Sequence, residues 1–226
     1  MSQLNTLISQ HPLEGIAHTG VFGKLSKTYP GVYFETPPQR KIIRLMPFRE
    51  KAHAVNLILQ DLYSMTMPGT GKFSQKDNLT IGWSAKNRWY ITETPNSDTV
   101  SFCKIKNALS GLAAISDASQ GLISIIIDGD DSRALISKGC VLNLSHFLPG
   151  DSTPSLMAHT NVHIYRLSES KFEILVPASH VTNFWEWLCL SAEEFGFQVT
   201  FLDQKFTEIT ENFDHTIPFE KLDKAT

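Results

Sequence analysis

The run Leu122-Ile123-Ser124-Ile125-Ile126-Ile127 constrains this chain more than any other stretch. In a strand, Ile123, Ile125 and Ile127 share one face while Leu122 and Ile126 lie on the other, so both faces require cover. Such a strand belongs in the middle of a sheet that other layers enclose. Asp128-Gly129-Asp130-Asp131 breaks it and supplies acids for a helix start. A short helix is expected from about Asp131 to Lys138, with Ala134 and Leu135 facing inward and Gly139 as a left-handed stop. Beyond Pro149-Gly150, Val162 and Ile164 alternate with His163 and Tyr165. Phe172, Ile174 and Val176 alternate with Lys171, Glu173 and Leu175, and Ser168-Glu169-Ser170 joins the two as a hairpin.

Val181, Phe184, Trp185, Leu188, Ala192 and Phe195 recur at spacings of three and four, which predicts a helix lying on a sheet, with Ser179 as cap and Gly196 as stop. Phe197, Val199 and Phe201 then alternate in a last strand. The order β-α-β-β-α-β is that of the ferredoxin-like sandwich.

The same order is readable earlier. Ile42, Ile43, Leu45 and Met46 form a strand, and Ala52, Val55, Leu59, Leu62 and Tyr63 a helical stripe. Leu79, Ile81 and Trp83 turn at Ala85-Lys86-Asn87 into Trp89 and Ile91. Ser97 or Asp98 caps a weaker helix carrying Phe102, Ile105 and Leu109, and Gly111 ends it before Leu112–Ile115. The predicted fold class is therefore α+β, with two tandem ferredoxin-like (βαββαβ) units at residues 41–116 and 117–203. Residues 1–40, rich in proline and glycine, read as an N-terminal arm whose anchors Leu13, Val21, Phe22, Tyr33 and Phe34 lie along its own domain or a partner. Residues 204–226, polar around Phe206, Phe213 and Phe219, read as a C-terminal tail.

A net charge of −3 over 226 residues, with scattered Lys and Arg, leaves no basic footprint for nucleic acid. Three unpaired cysteines, Cys103, Cys140 and Cys189, fit reduced thiols in a cytoplasmic protein and have no zinc spacing. No run of ~18 apolar residues occurs, and the first residues do not resemble an export signal, so a soluble protein with no membrane partner is expected.

Motifs that carry chemistry are approached and then missed. Met67-Pro68-Gly69-Thr70-Gly71-Lys72 imitates a phosphate loop, but Thr66 stands where the first glycine belongs and Phe73 where the magnesium hydroxyl belongs. It reads as a connecting turn. His159 and His163, four apart in a segment read as strand, are ~13 Å apart and too distant for one metal. Asp130 and Asp131 are explained by a helix dipole, and Cys140, beyond a helix C-terminus, reads as structural. Trp187 and Leu190 fall outside the apolar stripe of their helix. They are either a candidate partner interface or are covered by a terminal arm.

Ile115-Ser116-Asp117-Ala118-Ser119, Gly129-Asp130-Asp131-Ser132-Arg133-Ala134-Leu135, Lys138-Gly139-Cys140-Val141-Leu142-Asn143-Leu144, His146-Phe147 and Pro149-Gly150 carry a family pattern. Phe172–Pro177 and Trp185-Glu186-Trp187-Leu188 extend it, and Arg44-Leu45-Met46-Pro47, Trp83 and Arg88-Trp89 fit it more weakly. With these residues the chain resembles the gamma subunit of heterotetrameric sarcosine oxidase, related to the folate-binding aminomethyltransferases of glycine cleavage. Val141 and Asn143 stand where the family has proline and aspartate.

The resemblance implies a chain with no catalytic, cofactor or metal residues of its own, in a complex that demethylates sarcosine to glycine. The one-carbon unit passes to tetrahydrofolate, and oxygen becomes hydrogen peroxide. It further implies alpha, beta and delta subunits as partners, which hold FAD, FMN, NAD, zinc and tetrahydrofolate. A related dehydrogenase of another N-methyl amino acid such as N-methylglutamate, a stand-alone folate-binding aminomethyltransferase and an iron–sulfur maintenance protein are the alternatives. The maintenance family follows its Lys-Gly-Cys with an aromatic and Gly-Gln-Glu, unlike Val141-Leu142-Asn143 here.

Overall fold

The computed structural model of the protein describes residues 11–24, 28–93 and 102–201. Two short strands come first, β1 (Gly20–Phe22) and β2 (Val32–Thr36). Then follow β3 (Lys41–Pro47), α1 (Ala52–Tyr63), β4 (Phe73–Lys76), β5 (Leu79–Ala85), β6 (Arg88–Glu93), α2 (Phe102–Ala108) and β7 (Ala113–Asp117). The isoleucine-rich strand is β8 (Leu122–Asp128), leading into α3 (Ser132–Ser137), β9 (Ser152–Met157), β10 (Thr160–Arg166), β11 (Phe172–Pro177), α4 (Val181–Ala192) and β12 (Phe197–Phe201).

The smaller sheet has the order β4-β5-β6-β3-β7 and is antiparallel throughout. Without the edge strand β4 this is the ferredoxin-like arrangement, with the first strand of the unit between the third and the fourth. The larger sheet runs β1-β12-β2-β8-β11-β10-β9. Between the added edge strands β1 and β9 the same arrangement recurs with one insertion: β2 stands between the fourth strand and the first, parallel to β12 and antiparallel to β8.

The stretch expected to be an arm therefore lies along its own domain by supplying two strands to the larger sheet. Val32 and Phe34 alternate into the core, where Phe34 meets the rings of Trp185 and Phe197 at 5.6 and 5.4 Å, and Leu13 is buried with them. Val21 stays exposed. The caps Ser97 and Asp98, residues 1–10 and the tail from 204 onward lie outside the described residues.

Apolar alternation builds two separate cores. Ile43 and Leu45 of β3, Ile81 of β5 and Ile91 of β6 pack beneath Val55, Leu59 and Tyr63 of α1 and Ile105 of α2. Ile123, Ile125 and Ile127 of β8, with Ile164, Phe172 and Ile174, pack beneath Leu135, Ile136, Phe184, Trp185 and Leu188. Helices thus cover one face of each sheet, and the other two faces meet.

Local differences from the sequence reading have simple causes. α3 is one turn and a half, so Ser132, Leu135 and Ile136 point inward while Ala134 is exposed. Ala52 is exposed and Leu62 half-buried on α1. His180, not Ser179, holds the N-cap of α4, because a 3-10 turn over Ala178–His180 precedes the helix. Gly139 is not left-handed; glycine is required there because a Cβ would overlap the Trp187 ring. His159 sits with Ala158 in the β9–β10 turn, both at positive φ, so the two histidines do not share one strand.

The two inner faces are in close contact where Gly82 of β5 meets Tyr165 of β10. A Cβ on Gly82 would overlap that ring. Gly82→Val should lower unfolding free energy by ~1–3 kcal/mol through overpacking. Gly69→Ala, with nothing within 4 Å of the added carbon, should leave it unchanged. Urea denaturation of the two variants distinguishes these outcomes.

Candidate functional site: the cleft between the sheets

Strand alternation decides which side chains enter the space between the sheets. Since Ile43 and Leu45 turn toward the helices, Ile42 and Arg44 turn the other way. The register Arg44↔Tyr90 and Ile42↔Thr92 brings Tyr90 and Thr92 onto the same face. From the larger sheet, His163↔Leu175, Leu175↔Ser124 and Pro177↔Leu122 set His163, Leu175 and Leu122 opposite them.

At the β4–β5 end the sheets are tied directly. Ser152 Oγ donates to the Trp83 carbonyl at 2.8 Å, the Phe73 amide to the Gly150 carbonyl at 3.1 Å, and the Ser152 amide to the Gly71 carbonyl at 2.9 Å. Lys72 pairs with Asp151. Burial pushes the Asp151 carboxyl up, but hydrogen bonds from Lys72 and the Leu148 amide outweigh it and hold the group below its usual range. The loop that imitates a phosphate site is thus a structural clamp: its lysine is engaged, and the Trp89 indole donates to the Pro68 carbonyl at 2.9 Å.

On the opposite side, the segment leaving β2 crosses to the smaller sheet. Arg40 meets Glu173 at 2.8 Å, and Glu173, 4% exposed, also accepts from Ser124 Oγ at 2.7 Å. Gln39 Nε2 donates to the Ser119 carbonyl at 2.8 Å, and the Ile42 amide to Ser119 Oγ at 2.9 Å. Ile42, Ala118, Tyr165 and Leu175 fill the space between these ties.

Where neither tie reaches, a cleft of about 840 Å³ remains open. The smaller sheet lines it with Arg44, Arg88 and Tyr90, and the larger one with Leu122, His163 and Leu175. Arg44 lies over the Tyr90 ring at 5.8 Å, and its buried Nε has no hydrogen-bond partner. Asp117 is also at the cleft, but its Oδ1 is taken by the Ser119 amide and hydroxyl at 2.8 and 2.6 Å.

His163 is 5% exposed, with its ring edge-on to Tyr90 at 5.5 Å and Tyr165 at 4.7 Å. Its Nε2 lies 2.8 Å from Ser152 Oγ, and its buried Nδ1 has no partner. Burial holds the imidazole pKa down from 6.5 to about 3. The arrangement supplies cations, an aromatic face and a neutral imidazole on opposite walls of one cleft, which suits binding.

The residues singled out from sequence lie elsewhere. On α4, Trp187 is half-buried, stacked over Gly139 and 6.0 Å from the Phe184 ring, and so does not face outward; Leu190 is 68% exposed. Cys140 Sγ lies 3.3 Å from Ser155 Oγ, and burial, followed by Glu193, pushes the Cys189 thiol up to about 12. Asp131 occupies the N-cap of α3, and Asp130 accepts from the Tyr29 hydroxyl at 3.4 Å. Among the described residues no three His, Cys, Asp or Glu side chains cluster as a metal site, and no helix is long and apolar enough to cross a membrane. Sequence reading missed the cleft; its one signal was Arg44, a charge inside the apolar run Ile42-Ile43-Arg44-Leu45.

No protein-family model and no curated protein matches the sequence. Among solved structures, the chain is similar to one from heterotetrameric sarcosine oxidase of Corynebacterium sp. U-96, with a TM-score of 0.64 at 17% identity, covering 73% of this chain and 85% of that one. It is also similar to the glycine cleavage system aminomethyltransferase T of Bartonella henselae, with a TM-score of 0.55 at 14% identity, covering 77% of this chain. The chain spans 48% of that transferase. It has the two-unit α+β fold that these structures share.

Because the folded state keeps His163 neutral while the unfolded chain binds its proton near the ordinary value, His163 stabilises the fold above about pH 6.5, and that contribution is lost as pH falls toward 3. Its ring resonances should not titrate between about pH 8 and 5. An NMR titration showing a midpoint near the ordinary value would contradict the buried, neutral assignment.

Proposed function

We propose that this chain is the gamma-type subunit of a sarcosine-oxidising complex, and that it contributes assembly surface while the flavin, nicotinamide, zinc and folate chemistry belongs to its alpha, beta and delta partners. The observation that carries the reading is the fold likeness, with a TM-score of 0.64 to a sarcosine oxidase chain against 0.55 to the aminomethyltransferase. The fold extends over 85% of a sarcosine oxidase chain but only 48% of the aminomethyltransferase. A shared fold alone does not fix activity, so the sequence resemblance in 115–188 supplies the second support.

In this role the chain would join a machine that oxidises sarcosine to glycine, hands the one-carbon unit to tetrahydrofolate and reduces oxygen to hydrogen peroxide. Its isolated form would carry no flavin. The packing of Trp187 over Gly139 moves the interface proposal toward Leu190, the outward apolar residue of α4. An apolar side chain at such a position gains when a partner buries it and contributes little when wet.

Co-expression with sarcosine oxidase alpha, beta and delta subunits, followed by purification through a tag on this chain, tests the proposal. The expected result is recovery of a complex with sarcosine-dependent peroxide formation. Failure to assemble, or aminomethyl transfer by this chain alone, would overturn it. Leu190→Glu should reduce recovery of the partners with the melting temperature unchanged. Trp187→Ala should instead lower stability by about 2 kcal/mol, because the ring fills the groove over Gly139.

A further inference from the structure

The cleft between the sheets contains an unusual set of unsatisfied groups. Neither Arg44 nor Arg88 has a carboxylate within ion-pair distance among the described residues, although every lysine or arginine that packs near the inter-sheet ties does: Arg40 on Glu173 and Lys72 on Asp151. Asp117, the acid that lines the cleft, has its Oδ1 turned to the Ser119 amide and hydroxyl. Arg44 cannot relax freely into water, since its Nε is buried and its guanidinium lies over Tyr90. Two cations on one wall, one of them half-buried with an unpartnered Nε, form a place where an anion from outside the chain can be held.

The opposite wall adds a second requirement, which follows from counting protons. A carbonyl only accepts, so the 2.8 Å contact from Ser152 Oγ to the Trp83 carbonyl uses the single proton of that hydroxyl. The 2.8 Å contact between Ser152 Oγ and His163 Nε2 must then be donated by the imidazole. In a neutral ring that leaves Nδ1 as a lone-pair acceptor, and Nδ1 is buried with no partner. A buried acceptor without a donor costs roughly 1–3 kcal/mol, which a bound N–H or O–H would recover. Beside it, Leu122 and Leu175 are apolar, and a volume of about 840 Å³ lies within the usual range for small-molecule sites.

We propose that the cleft binds an organic carboxylate that also carries an N–H or O–H donor on a flat, largely apolar body. Arg44 and Arg88 take the carboxylate, the Tyr90 and leucine walls enclose the body, and His163 Nδ1 accepts from the donor. Inorganic phosphate satisfies the cations but leaves the apolar walls unused. This assignment does not depend on the complex proposed above, because every group belongs to this chain.

The test is titration calorimetry of the full 226-residue chain with three probes: indole-2-carboxylate, benzofuran-2-carboxylate, in which oxygen replaces the N–H, and indole, which lacks the anion. Indole-2-carboxylate should bind, benzofuran-2-carboxylate should bind about tenfold more weakly, and indole should give no heat at ~10 mM. Arg88 is exposed, so Arg88→Ala should keep the melting temperature and weaken indole-2-carboxylate about tenfold. Arg44→Gln should do the same to binding. No binding at ~10 mM, equal affinity for the indole and benzofuran acids, or affinity untouched by Arg88→Ala would each overturn the proposal.

Discussion

The tight contact of the two sheets at Gly82 against the ring of Tyr165 sets the geometry on which the rest depends. Most layered α+β proteins bury apolar against apolar, whereas the inner faces here are rich in polar groups: Thr80, Ser84, Thr92, Ser124, His163 and Glu173 are all buried. Polar groups removed from water stabilise a fold only with partners in the right places. Three of these six, Ser124, His163 and Glu173, have partners across or beside the interlayer, and the buried Ser84 hydroxyl has none. Ser124 and Arg40 meet Glu173, and Ser152 links His163 to the Trp83 carbonyl. Such bonds fix one relative position of the sheets, where apolar contact alone would tolerate sliding. The missing Cβ of residue 82 allows them all to close together.

That fixed position explains the cleft. Ties at Lys72–Asp151 and at Arg40–Glu173 hold two sides, and where neither reaches, Arg44, Tyr90 and His163 face a space that neither sheet fills. The proposed assembly surface and the cleft are compatible: Leu190 lies on a helix covering the outer face of the larger sheet, while the cleft lies on its inner face.

Much of the fold was legible because long elements repeat their pattern. The stripe of α4 and the isoleucine alternation of β8 each span enough residues for the period to show, and both stand where expected. β2 escaped because five residues between Pro30-Gly31 and Pro37-Pro38 hold only two inward apolar side chains, Val32 and Phe34, the third inward residue being Thr36. β9 escaped because Ser152-Thr153-Pro154-Ser155 carries almost no apolar alternation, and its proline is tolerated only since the strand lies at the sheet edge. Gly139 was misread for a different reason: close ring packing and a left-handed turn both demand glycine, and sequence does not separate them. The cleft was illegible for a deeper one. Arg44, Arg88, Tyr90 and His163 are spread over 120 positions and converge only through strand register and sheet packing, so no local spacing announces them.

If the polar interlayer couples the two units as described, neither can unfold while the other stays native. Differential scanning calorimetry of the full chain tests this directly. One transition is predicted, with the calorimetric enthalpy equal to the van't Hoff enthalpy. Two resolved transitions, or a calorimetric enthalpy about twice the van't Hoff value, would mean that the units fold independently and that the interlayer does not hold them together.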